Sequence, residues 1–375
     1  MKNDSNNSNV TGRYYGLIIV KSENSNYNAD FTGNARRLPN EDGTIYATDK
    51  VLKYSIRRYW VDKGKDVFVW RSHSPNGNVR TRNERMEFMK SKLASNKDIK
   101  DNIEIGQWLE LLQGKTKIED WHNSVGEGDQ GLVSKKKEII DLLKGNLKKG
   151  KIEKTIVDNL IKENKKVVTA SIFSKCIDTK LFGVTYTGEG PLSLTGPVQI
   201  TYGINKYTEN INYINDILSP YPTGDEGAAQ SSIGKEKKVL ESYYVYDFSI
   251  NPKNIISHYN SSEDIKSMMN ITQSDIDDLK EAFKYSVTAL DTSSKIGSEN
   301  VMLLFIPMND DKNYLPTMKQ LVVVSKDDGQ IEVNLSKVNK LLEEKDTVGS
   351  VELHYNDNIV KVSGENKNWA IDKNL

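Results

Sequence analysis

Apolar and polar positions change period several times along the chain, and each change marks an expected element. Arg13 to Lys21, RYYGLIIVK, is rich in β-branched and aromatic residues and reads as a core strand. From Thr48 to Trp60 the apolar residues Val51, Leu52, Ile56 and Tyr59 fall at helical spacing, with Thr48 placed as N-cap and Asp49 at the positive end of the dipole. Val67 to Arg71 is a further strand candidate, and Asn78 to Lys100 reads as a charged helical segment. Residues 101–166 form a helical insertion with apolar groups at Ile105, Trp108, Leu109 and Leu112, then at Ile139, Ile140, Leu142 and Leu143. Lys135 to Lys137 and Lys148 to Lys154 flank the second group. Because it lies between strands, this insertion is expected to protrude from the main sheet.

Val167 to Ser174, Leu181 to Tyr186 and Pro197 to Tyr202 are expected strands separated by Gly/Thr turns. Asn205 to Lys238 contains Pro220, Pro222, Gly224, Gly227 and Gly234 with little periodicity, which predicts an extended or mobile excursion. Tyr243 to Ile250 alternates as a strand. Ser274 to Ala289 is an amphipathic helix with Ser274 as N-cap and a stripe of Ile276, Leu279, Phe283 and Val287, and Val301 to Ile306 is a fully apolar strand. The order strand, helix, strands, helix, strand predicts an α+β fold with helices on one sheet face, which the RNA-recognition motif exemplifies.

Composition narrows the chemistry. With 375 residues and 37% hydrophobic positions the chain can bury a core. The single Cys176 rules out an internal disulfide, and four scattered histidines without a cysteine cluster argue against a structural zinc site, so neither metal nor cofactor is expected. Met1 to Asn9 has no apolar run, and no stretch approaches the roughly 18 apolar residues of a membrane helix, so a cytoplasmic protein without membrane contact is expected. Lys+Arg and Asp+Glu are both 52, yet residues 50–100 hold fourteen basic against five acidic residues, and residues 263–375 hold thirteen against twenty. Such a split presents a basic face to phosphates, although lysine-rich helices are also simply well solvated.

Lys50, Lys53 and Arg57 lie three and four residues apart, with Arg58 beside them, and form a basic ridge away from the apolar stripe. Ser22 to Asp42 is long and polar for a connector and is a candidate binding loop, in which Arg36 and Arg37 offer bidentate phosphate contacts. Gly196 and Pro197 shape either a turn that brings backbone close to a ligand or the ordinary start of a strand, with Gln199 as a donor. Lys235 and Lys237 supply charge in the excursion. Tyr244, Tyr246 and Phe248 are as suited to a core as to stacking, and the K/R-G-F-G-F-V strand of a conventional RNA-recognition motif is missing, as is a P-loop.

Three local patterns follow one another in order. The loop reads Asn26-Tyr27-Asn28-Ala29-Asp30 and then Gly33-Asn34-Ala35-Arg36-Arg37. The helix reads Thr48-Asp49-x-x-Leu52-Lys53-x-x-Ile56-Arg57-x-Tyr59, and Asp178-Thr179-Lys180-Leu181-Phe182-Gly183 leads to Thr195-Gly196-Pro197-Val198-Gln199. Together they resemble the backbone subunit family of class 1 CRISPR effector complexes, in its type I-B-like branch, with Tyr27, Ala29 and Arg36 departing from N-P-N-G-D and G-N-x-P-R.

The resemblance implies a hand-shaped subunit after a tail at 1–12. Its modified RNA-recognition-motif (ferredoxin-like) palm would comprise 13–65, 173–203 and 239–306, its helical fingers 66–172 and its thumb 204–238; residues 307–375 receive no role. It also implies a non-enzymatic protein that coats a guide RNA through Asn34, Arg36, Arg37, Lys50, Lys53, Arg57, Arg58, Gly196, Gln199, Lys235 and Lys237. Its partners would be further copies of itself in a helical filament, other effector subunits, and target DNA through the guide. Two rivals stay open: a type III-like ribonuclease using Asp30 or Asp42, residues that are also common turn-formers, and an RNA-free self-assembling protein.

Overall fold

The computed structural model describes residues 8–39, 41–127, 129–208, 210–222, 230–258, 263–310 and 312–375. The chain begins with β1 (Tyr14–Ser25), β2 (Tyr46–Ala47) and α1 (Asp49–Asp62). Helices follow as α2 (Arg82–Lys92), α3 (Lys97–Leu111), α4 (Ile118–Asn123), α5 (Gln130–Gly145), α6 (Lys154–Lys175) and α7 (Ile177–Phe182). Next come β3 (Gly183–Tyr186), β4 (Leu192–Thr195), β5 (Val198–Ile200), β6 (Gly203–Asn205), β7 (Asn212–Pro222) and β8 (Gln230–Ile250). Three helices, α8 (Lys253–His258), α9 (Glu263–Met268) and α10 (Gln273–Tyr285), lead to β9 (Ser298–Pro307). The chain closes with β10 (Val323–Asp327), β11 (Gln330–Asn334), α11 (Ser336–Glu343), β12 (Glu352–Tyr355), β13 (Val360–Ser363) and β14 (Ala370–Asp372).

These elements form two compact units, a first of 1–65, 197–253 and 271–375 and a second of 66–196 and 254–270. The first is built on a mixed sheet ordered β14-β12-β9-β1-β8-β6-β2, with β5 and β7 also pairing to β8. β1 lies at its centre, antiparallel to both neighbours: Leu17 faces Asp247 and Leu304, and Ile18 faces Tyr246 and Leu303. Strand alternation then gives the sheet two apolar faces. On one, Phe248 meets Phe283 of α10 at 4.8 Å between ring centres, and α1 is tied to α10 by Trp60 Nε1 donating to the Asp278 carbonyl at 3.2 Å.

Leu17, Ile19, Val245, Leu304 and Ile306 on the other face pack against Val322, Val333, Leu335, Val338, Leu342 and Leu353. Residues 307–375, which the sequence left without a role, are therefore the cover of that face. They form the sheet β10-β11-β13 and α11, and add β12 and β14 beyond β9. Each buried aliphatic there stabilises by roughly 1.5–3 kcal/mol. Tyr244, Tyr246 and Phe248 are core residues, at most 3% exposed.

The added edge has a pH signature. The two ring nitrogens of His354 lie 3.3 Å from carboxylate oxygens of Glu352 and Asp372, and Lys280 pairs with Glu352 at 2.6 Å. The His354 bond, followed by Lys280, holds Glu352 down at about 2, against about 4.3 in an unfolded chain. A depressed carboxylate contributes stability that is fully present above the unfolded value and is lost as pH falls towards the folded one. The midpoint of thermal unfolding should fall between pH 5 and pH 2, measured by circular dichroism, and Glu352→Gln should flatten that decline. An identical decline in the variant would contradict the role given to Glu352.

In the second unit, Ile105, Trp108, Leu109, Trp121, Ile140, Leu143 and Val157 form one core and Phe68, Met86, Met89, Ile172, Phe173, Tyr186 and Leu194 another. Four sequence expectations are corrected. Val167 to Ser174 is not a strand but the C-terminal half of α6, in which Val168, Thr169, Ala170, Ser171, Ile172 and Phe173 are buried; a short apolar run reads alike in a strand and a buried helix. Val67 to Arg71 pairs with no strand, because the N–H groups of Phe68 and Val69 donate instead to the Asp178 carboxylate at 2.7 and 2.9 Å. Leu181 and Phe182 end α7, and only from Gly183, at φ +78°, does the chain run as a strand. Thr272, not Ser274, caps α10, because Asp275 completes a capping box with it. The excursion at 205–238 contains an antiparallel ribbon in which Asn212 pairs with Val239 and Ile217 with Gly234; Gly224 and Gly227 lie outside the described residues.

Candidate nucleic-acid interface

The loop after β1 folds on itself through its own amide and carboxylate side chains. Asp30 Oδ1 accepts the N–H groups of Thr32 and Asn34 at 2.8 and 2.9 Å and the Thr32 hydroxyl at 2.8 Å. The Thr32 hydroxyl, with the two backbone donors, keeps this carboxyl below the usual aspartate range. Asp30 Oδ1 thus closes the turn of the loop. Asn26 Nδ2 donates to the carbonyls of Gly33 (2.9 Å) and Lys237 (3.3 Å), joining the loop to β8. Asn28 Oδ1 takes both the N–H (2.7 Å) and the hydroxyl (3.1 Å) of Thr48, so Thr48 stands at the N-cap position of α1 but spends its side chain on the loop. Tyr27 is fully buried with its ring 5.4 Å from Tyr244. Burial pushes its hydroxyl well above the ordinary tyrosine value.

Three expected site residues meet around one cleft. Asn34, Arg37 and Lys237 line a cavity of about 300 Å³ together with Ala35, Asn212, Tyr213 and Ile214. Lys237 Nζ donates to Asn34 Oδ1 at 2.7 Å, and Arg37 donates to the Gly43 carbonyl at 2.6 Å. Lys235 is exposed two residues earlier on β8. Arg36 has a buried Nε without a hydrogen-bond partner. Tyr213 went unnoticed in the sequence, since its alternation on β7 is masked by the surrounding Asn and Ser residues.

On α1, Lys50 is exposed, but the ridge is partly self-neutralised. Lys53 pairs with Asp49 at 3.1 Å and keeps only 15% of its side chain exposed, while Arg58 pairs with Asp62 at 2.8 Å. Gln199 is exposed on β5 and lines a 210 Å³ cleft with Tyr15, Ile200, Phe248 and Met318. Gly196 is buried in the second unit, where a Cβ would stand 2.2 Å from the Phe182 carbonyl carbon and 2.3 Å from the Gly183 nitrogen. The protein's own backbone accounts for the glycine there.

Among the described residues no three His, Cys, Asp or Glu side chains converge as a metal site, and no helix is long and apolar enough to cross a membrane.

The family model described as CRISPR-associated protein Cas7 matches residues 12–344. No curated protein matches the sequence. Among solved structures, a chain of a "CRISPR RNA-guided surveillance complex, pre-nicking" is similar with TM-score 0.47 and 11% identity, covering 97% of this chain and 96% of that one. A chain of a "CRISPR RNA-guided surveillance complex" gives TM-score 0.40 and 12% identity, covering 97% and 95%.

Proposed function

Because the chain belongs to the CRISPR-associated protein Cas7 family, we propose that it is the repeating, non-enzymatic backbone subunit of a type I surveillance complex, of I-B-like branch. It coats a guide RNA by its sugar-phosphate backbone and leaves the bases free to pair with target DNA, and it works in the cytoplasm beside further copies of itself and other effector subunits.

The observation that carries this reading is the single hydrogen-bonded body formed by the Asn26–Arg37 loop, the start of α1 and the base of the ribbon, with Asn34, Arg37 and Lys237 around one cleft. Amide and cationic donors suit phosphate and 2′-hydroxyl oxygens, whereas both faces of the sheet are covered and offer no platform for reading bases. The strands β9-β1-β8 with β5 and β6, helices α1 and α10 against them, follow the ferredoxin-like order and support the palm assignment. The ribbon β7-β8 supports the thumb, and the helices from α2 to α6 support the fingers.

Backbone gripping requires indifference to sequence. Two RNAs of equal length and unrelated sequence should bind within about twofold of each other in fluorescence anisotropy at fixed salt, since phosphates carry no sequence information. A tenfold preference would count against it.

A further inference from the structure

Four strands of contact converge beneath the binding loop from one short segment that no motif marks, the turn leading into β9. The Glu23 N–H donates to the Gly297 carbonyl at 2.8 Å, and the Ser25 hydroxyl to the Ser294 carbonyl at 3.0 Å. The Lys295 ammonium donates to the carbonyls of both Asn26 (3.2 Å) and Tyr27, the two residues that open the loop. It also lies 5.9 Å from the centre of the Tyr27 ring. Gly297, at φ +88°, admits this approach, because a Cβ there would stand 2.4 Å from the Glu23 carbonyl oxygen.

Lys295 is an unusual half-buried cation. Its charge faces two carbonyl oxygens and the face of an aromatic ring rather than a carboxylate, and burial lowers its pKa. A partly desolvated ammonium held by two carbonyls fixes them, because charge-assisted bonds are stronger than neutral ones and strengthen as water is excluded. The carbonyls it fixes belong to the residues from which Asn26 reaches Gly33 and Lys237, so the position of the whole loop depends on them.

Resting on the guide-coating reading, we infer that Lys295 is a positioning residue for guide binding: it touches no RNA, but locks the root of the Asn26–Arg37 loop so that Asn34, Arg37 and Lys237 meet around their cleft. The salt dependence of binding separates such a residue from lysines that contact phosphate. Each phosphate contact on a single strand contributes about 0.7 to the slope of log affinity against log salt. A residue that acts through the loop changes affinity and leaves that slope alone.

The test is Lys295→Met, with Lys295→Arg as the conservative variant, in the full chain with a 30-nucleotide RNA of arbitrary sequence as probe. Anisotropy titrations across a salt series should show Lys295→Met weakening binding about tenfold, the loss of one charged hydrogen bond's worth of order, with the slope unchanged, and Lys295→Arg recovering most of the affinity. Amide hydrogen exchange of the RNA-free protein, read by mass spectrometry, should rise in residues 26–37 of Lys295→Met while α10 stays protected. A slope reduced as in a phosphate-contact variant, unchanged affinity, or unchanged exchange in the loop would each overturn the inference. A wild-type chain that binds no RNA would instead overturn the guide-coating reading, and raised loop exchange in Lys295→Met would then leave Lys295 as a structural buttress only.

Discussion

Replacing Lys50, Lys53 and Arg57 together with glutamine is expected to weaken binding of a single-stranded RNA roughly hundredfold, alike for every sequence. The three residues follow one another at helical spacing on α1, whose first turn is fastened to the binding loop by Asn28. Three phosphate contacts at about 1 kcal/mol each give that loss, and the slope of log affinity against log salt should shallow by about 2. The contributions will be unequal. Lys53 must leave Asp49 to reach a phosphate, so its single replacement should cost least, whereas Lys50 is exposed. Anisotropy titrations from 50 to 300 mM salt read both quantities. A loss confined to some sequences, or an unchanged slope, would contradict backbone gripping.

Asp178→Ala is expected to unfold the second unit at markedly lower denaturant, by roughly 3 kcal/mol. Asp178 is fully buried and accepts two backbone N–H groups, from Phe68 and Val69. On the other side of the same segment, Arg85 donates to the carbonyls of Val67 and Phe68 and to the Ser72 hydroxyl. The two side chains do for residues 67–72 what a neighbouring strand would do, satisfying donors from one side and acceptors from the other. Removing the carboxylate strands the buried Phe68 donor, at about 1–3 kcal/mol, and the part-buried Val69 donor at less, besides emptying a fully buried site. Trp108 and Trp121, stacked edge to face in this unit, give a local fluorescence signal for urea unfolding. A midpoint shift equivalent to less than about 1 kcal/mol would show that the segment finds other partners.

This segment also shows where sequence reading stops. β1, α1 and β9 were legible because each is one uninterrupted period, decided by neighbours a few residues away. Residues 67–71 were not, since their partner carboxylate lies 110 positions later and no local pattern announces it. Val167 to Ser174 is ambiguous in sequence because eight mostly apolar residues fit a strand as well as a buried helix, and only the preceding turns of α6 decide. The cover formed by residues 307–375 escaped because its strands are four or five residues long at most and pair non-locally, as in the parallel match of Ile331 with Val360.

In the candidate site the motif residues were legible as a set, but not their individual work. Asn26, Asn28 and Asp30 look like ligand-binding groups in a polar loop, yet they hydrogen-bond within their own chain and shape the loop that presents Asn34 and Arg37. Lys295 could not be found from sequence at all, being 269 residues from the carbonyl it holds and flanked by nothing but Ser, Ile and Gly.

The most direct test of the central claim is to purify the protein with its neighbouring genes co-expressed and to sequence the RNA that remains after a high-salt wash. Short RNAs of uniform length with ends derived from a CRISPR repeat are the expected result. No RNA, or a random sample of cellular transcripts, would contradict it.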